Sequence, residues 1–209
     1  MEMNLVKKYF IPINRNKTQK VYEHKEQIMT LNKNQVVTGE CRLSFVHLFE
    51  PTAMKEGDTP KYSVTAIIPK TDTKTVEAIR AAIKAAAEAG AQKHFGGRVP
   101  TNVNHTFKDG DTETDDLGEL KNVKYPEYKG NYYIRLSTKF QPKVLDANRQ
   151  EIIDPTEVYS GMYGKVSMTF FAYSGDGRRG VSAVLNNVMK TRDGEPLTSM
   201  LMGDEFDAE

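Results

Sequence analysis

The chain has 209 residues, 38% hydrophobic and 27% charged, enough for one domain with an apolar core and flexible ends but short for two full domains. No apolar run approaches the roughly 20 residues that cross a bilayer, and no signal-peptide core follows Lys7-Lys8, so a membrane span or export is not expected. The net charge is only +1, yet the last seven residues hold four acids and no base and residues 109–119 hold six acids and no base; without these two islands the remainder carries +11.

Residues 1–28 are polar, mildly basic and weakly periodic, and read as an extension with no assigned fold ahead of a second start at Met29-Thr30-Leu31. From Gly39 the chain alternates, with Cys41, Leu43, Phe45 and His47 on one face and Arg42, Ser44, Val46 and Leu48 on the other, the pattern of a strand. Cys41 is the only cysteine, so no internal disulfide or paired-thiol site can form, and a place in the core suits it. After a turn-rich stretch from Pro51 to Pro60, a second strand sets Tyr62, Val64, Ala66 and Ile68 against Ser63, Thr65 and Ile67. Between Thr71 and Phe95 the period becomes helical: Val76, Ile79, Ile83 and Ala87 form one stripe, Thr71-Asp72-Thr73 can cap its start, and Gly90 and Gly96-Gly97 end it. Residues 98–128 show no sustained period and read as a long loop carrying the acidic island. Two strong strands follow, 131–140 and 162–173, with a short strand and a turn at Asp146-Ala147-Asn148 between them. Gly175-Asp176-Gly177 then reads as a hairpin turn into a closing strand, 178–187. Five or more strands with one main inserted helix, in no βαβ rhythm, make a mainly β fold of small closed-barrel type.

Catalysis finds no support, because His24, His47, His94 and His105 share no helical or metal-ligand spacing. Gly175-Asp176-Gly177-Arg178-Arg179-Gly180 matches a dinucleotide fingerprint literally, but a strand follows it where a helix should open, so it is a turn. The acidic island lacks the spacing of a calcium loop. No cofactor is implied. The two strong strands instead present aromatic and basic side chains on their second face, the combination that holds bases by stacking and phosphates by charge. Tyr133, Arg135, Lys139, Tyr163, Lys165, Phe171 and Tyr173 are the candidate nucleic-acid contacts, with Arg178 and Arg179 added at the adjoining turn.

The block from Gly180 to Val188, read Gly-Val-Ser-Ala-Val-Leu-Asn-Asn-Val, followed by Arg192-Asp193-Gly194-Glu195-Pro196-Leu197, resembles the end of a family of phage single-stranded-DNA-binding proteins. The strand from Lys165 to Tyr173 and the early Gly39 to Phe45 are similar to it as well, so the resemblance covers about residues 30–202. It implies an OB-fold barrel over 29–202, sequence-independent binding of single-stranded DNA in phage replication or recombination, no enzymatic activity, and a place in the cytoplasm of the infected bacterium. The end of the chain, 203–209, with Asp204, Glu205, Phe206, Asp207 and Glu209, is expected to be disordered. It resembles the acidic, aromatic-bearing C-termini by which prokaryotic and phage single-strand binders recruit replication partners. Its carboxylates can stand in for phosphates on a basic groove, and Phe206 can anchor it to a partner. The partners to look for are then single-stranded DNA, phage replication proteins and further copies of the chain on DNA. The alternative reading is a virion or assembly protein whose aromatic face is a subunit interface.

Overall fold

The alternating segments fold as strands in a computed structural model that describes residues 33–53, 55–175 and 177–197. Both the extension, 1–28, and the acidic end, 203–209, lie outside the described residues. The strands are β1 (Gln35–Val37), β2 (Cys41–Thr52), β3 (Lys61–Pro69), β4 (Phe107–Asp109), β5 (Asn131–Thr138), β6 (Lys143–Leu145), β7 (Tyr163–Gly175) and β8 (Arg178–Arg192). Three helices are described: α1 (Thr73–Ala89), α2 (Ala91–Phe95) and α3 (Lys121–Lys124). The strands join in the order β1-β7-β2-β3-β5-β8-β6, and the long β7–β8 hairpin closes β2, β3, β5, β8 and β7 into a ring. Every contact in that ring is antiparallel except β5 with β8, which meet in parallel at Ser137 and Val184. This is the five-stranded OB-type barrel that the resemblance implied.

Side chains of one parity fill the barrel. Leu43, Val64, Ile68, Ile134, Leu136, Val166, Met168 and Phe170 are all buried there with Cys41. The Cys41 thiol donates to the Gly164 carbonyl at 3.3 Å, and burial pushes its pKa up to about 12, so it is an inert core group. In β2 the simple alternation fails after Ser44. The ladder to β3 shifts between Ser44 and His47, and Phe45 takes a left-handed backbone at φ 49°. That bulge turns Phe45 outward and Leu48 inward, the reverse of the sequence expectation.

Helix α1 packs its predicted stripe, Val76, Ile79, Ile83 and Ala87, into the core while Arg80 and Lys84 face solvent. Asp72 caps its start by accepting from the Thr75 N–H at 3.1 Å, and the Thr75 hydroxyl accepts from the Gly39 N–H at 2.8 Å, which ties the helix to the β1–β2 turn. Residues 98–130 are no open loop. The chain runs beside β8, where the Val181 N–H donates to the Asn104 carbonyl at 2.8 Å, and then adds β4 to the start of β5. It next leaves the sheet as an excursion, 110–130, that folds back over the outer surface. Gly110 marks its point of departure, where its N–H donates to the Asn131 carbonyl at 2.9 Å and a Cβ would run into the Tyr128 carbonyl.

Candidate nucleic-acid interface

The outer side chains of the barrel alternate with the core and can be read from the registers. One row crosses the ring through His47, Ser63, Ser137, Val184 and Thr169 and reaches Gln35 on β1. These side chains are mostly short, so the row, hereafter the trough, is low between the longer side chains that flank it. Two residues along each strand from this row stand its banks. Arg135 on β5 and Phe171 on β7 lie on one side, followed by Tyr173 and Arg178 toward the hairpin. On the other side lie Lys139, just past the end of β5, Lys61 at the start of β3, and Ser167 and Lys165 on β7. Arg135, Lys139, Lys61 and Arg178 are exposed and Lys165 is half-buried. Phe171 is 45% exposed, a large ring left open to solvent on a strand. Asn186 is fixed beside the floor, its amide donating to the Thr169 hydroxyl at 2.8 Å. At the hairpin end, Tyr173, Ser174, Gly175 and Arg178 line a hollow of about 570 Å³.

Three of the expected contacts lie elsewhere in chemical terms. Tyr133 is on the outer parity but only 7% exposed, because Tyr128 of the excursion stacks on it with ring centroids 4.3 Å apart and planes 10° from parallel. Burial raises its phenol pKa to about 12 and raises that of Tyr128 further. Tyr163 carries the Arg192 guanidinium 3.4 Å above its ring centroid, and Arg192 in turn is held by Glu40 at 3.0 Å. Arg179 pairs with Ser174 on the face opposite to Arg178, and Ser174 is hydrogen-bonded to His94 of α2 at 3.0 Å. Arg135, Lys165, Phe171, Tyr173 and Arg178 therefore lie on the outer parity of the barrel with Lys139 just past the end of β5, while Tyr133 and Tyr163 have partners within the chain and Arg179 is on the opposite parity to Arg178.

The acidic island is folded against bases. Lys70 contacts Asp109 at 2.6 Å and Asp111 at 2.8 Å, which raises the Lys70 pKa and lowers that of Asp111. Glu113 lies 3.7 Å from Lys108 and 3.9 Å from Lys121. These pairs and an aromatic chain, Phe45 to Tyr125 at 5.4 Å and Tyr125 to Tyr128 at 5.3 Å, seat the excursion on Ile67 and Tyr133 as a second small core. OB barrels commonly hold oligonucleotides across the second and third strands, between the loops joining strands one to two and four to five. Here those strands are β3 and β5 and those loops are residues 53–60 and the β7–β8 turn. The excursion covers the end of that platform nearer Ile67; Arg135 stays exposed, while Thr65 opposite it and Ser63 two residues on are buried. Lys61, exposed at the very start of its strand, shares the parity of Ser63 and Thr65. Among the described residues, no group of three or more His, Cys, Asp or Glu side chains could hold a metal ion.

A family model described as the Enterobacter phage Enc34 ssDNA-binding protein matches residues 34–209. Putative protein p50 of Acyrthosiphon pisum secondary endosymbiont phage 1 is 33% identical over 181 residues, covering 83% of this chain and 92% of that protein. The single-stranded DNA-binding protein of bacteriophage Enc34, solved in complex with ssDNA, superposes with a TM-score of 0.61 at 27% identity, over 79% of this chain and 90% of that one. The fold alone is shared with gp2.5, a single-stranded DNA-binding protein encoded by bacteriophage T7, at 13% identity and a TM-score of 0.53, over 79% of this chain and 90% of that one. With a match over every strand of the barrel, this chain belongs to the phage family of the Enc34 ssDNA-binding protein.

Proposed function

We propose that this chain binds single-stranded DNA without reading its sequence, by laying the strand along the trough between Arg135 and Lys139, and that it serves phage replication or recombination by binding and not by catalysis. The observation that carries the reading is Phe171, an open aromatic ring on the same bank as Arg135 and across a low polar floor from Lys139 and Lys165. Unpaired bases supply flat faces for that ring and for Tyr173, and the flanking cations meet phosphates. A duplex hides its base faces, so stacking favours the single strand. The kinship with proteins whose names state ssDNA binding supports the same reading.

The acidic end, Asp204, Glu205, Phe206, Asp207 and Glu209, competes for the trough and recruits replication proteins in the host cytoplasm, and the barrel proper extends over 29–202 behind a polar extension at 1–28. The described chain reaches Leu197, whose N–H donates to the Ser160 carbonyl at 2.8 Å, beside the barrel. The 12 residues beyond it span up to about 40 Å when extended. Fluorescence anisotropy with labelled oligo-dT and a matched duplex over a salt series tests both ideas, comparing the full chain with one ending at Met202. Salt-sensitive preference for the single strand, strengthened by the truncation, is the expected result; equal weak binding to both nucleic acids in low salt would overturn the reading.

A further inference from the structure

Two adjacent asparagines, Asn186 and Asn187, stand in the block of β8 that carries the family resemblance, and the fold uses them differently. In the β7–β8 ladder Ser167 faces Asn187 and Met168 faces Leu185, so Asn186 is the extra residue of a β-bulge. Such bulges re-aim side chains and are common beside functional sites. Asn187 serves the fold: its side-chain carbonyl accepts from the Lys143 N–H at 3.0 Å and fixes the start of β6. Asn186, half-buried, is turned toward β7, where its amide nitrogen donates to the Thr169 hydroxyl at 2.8 Å and lies 3.5 Å from that of Ser167. No hydrogen bond reaches its carbonyl oxygen among the described residues, so the side chain is held by its donor end and offers a free acceptor at the surface.

Thr169 and Phe171 stand on the same face of β7 two residues apart, about 7 Å along the strand. We infer that the Asn186 carbonyl accepts a hydrogen bond from the exocyclic amine of the base stacked on Phe171, so that this subsite favours cytosine and adenine over thymine and uracil. Cytosine and adenine carry that amine on the edge where thymine and uracil carry a carbonyl. An amine satisfies the free acceptor; a carbonyl sets two acceptors against each other with no proton between them, and covering the Asn186 oxygen unpaired costs binding. The preference acts on one base at a time and adds to binding that any sequence supports. The inference rests on the single-strand reading above.

The test uses the full chain with labelled oligo-dC and oligo-dU of about 10 nucleotides, within OB site sizes of roughly 4–16. At neutral pH these pyrimidines have the same size and differ only on the Watson–Crick edge. The wild type is expected to bind oligo-dC about fivefold more tightly, the worth of one net hydrogen bond. Asn186→Ala should bring that ratio to about 1 by weakening oligo-dC alone. Thr169→Val, which removes the hydroxyl that holds the amide, should lower the ratio in the same way, and Phe171→Ala should weaken both oligomers and abolish it. A role confined to the bulge would weaken both oligomers together and leave the ratio unchanged. Equal binding of the two by the wild type, or a ratio that survives both Asn186→Ala and Thr169→Val, would overturn the Asn186 contact and leave the single-strand reading standing. Absence of wild-type binding to either oligomer would overturn both.

Discussion

Four aromatic side chains on β5 and β7 share the outer parity of the barrel, and what covers each ring decides its use. Tyr133 is roofed by Tyr128 and Tyr163 by Arg192, whereas Phe171 is open and Tyr173 half-open beside Arg178. Alternation gave the parity of all four correctly; it could not show the roof, because Tyr128 lies five residues before Tyr133 in a segment with no strand period. The roof has a measurable consequence. An unfolded tyrosine ionises near pH 10, while burial holds Tyr133 at about 12. The raised value means that this burial stabilises the fold fully below about pH 10 and that the contribution is lost as pH rises through about 12. An ultraviolet titration should therefore show late-ionising phenols, and Tyr133→Phe should remove one of them while leaving DNA affinity unchanged. Lys61 offers a second test at this scale: as a phosphate contact on the far bank, Lys61→Ala should weaken binding to all sequences alike and reduce the salt slope by about 1.

At the scale of elements, the ring of strands and helix α1 were legible because their periods are long and unbroken. The Val76–Ile79–Ile83–Ala87 stripe and the Asp72 cap appear as expected, and β7 and β8 pair as the expected hairpin, with strand and not helix running on from Arg178. The β2 bulge was not legible, since a single left-handed residue at Phe45 inverts every later parity. Nor was the excursion, whose order comes from contacts distant in sequence: Lys70 with Asp109 and Asp111, Phe45 with Tyr125, and Ile67 beneath Tyr128. Ile67 belongs to this second small core and not to the barrel interior. Ile67→Ala is expected to lower stability by about 2–5 kcal/mol and to loosen the excursion in particular, so that limited proteolysis cuts within 111–129 before the barrel strands. First cleavage elsewhere would show that the excursion is held by other means.

For the whole molecule, the near-neutral net charge conceals a basic body, because ten of the 28 acids are concentrated in two segments that hold no base. One of them is folded against Lys70, Lys108 and Lys121 and neutralises that end of the platform, which leaves the cations of the trough as the exposed positive surface around Phe171. Single-strand binding should then depend on the trough and not on the aromatic residues that have partners within the chain. The most direct measurement is the oligo-dT affinity of a variant combining Arg135→Ala with Phe171→Ala, set beside one combining Tyr133→Phe with Tyr163→Phe. Stacking by Phe171 is worth about 1–3 kcal/mol, so the first variant should bind at least tenfold more weakly with a reduced salt dependence, and the second should match the wild type. Wild-type affinity in the first variant, folded and monitored at the same salt, would contradict the account.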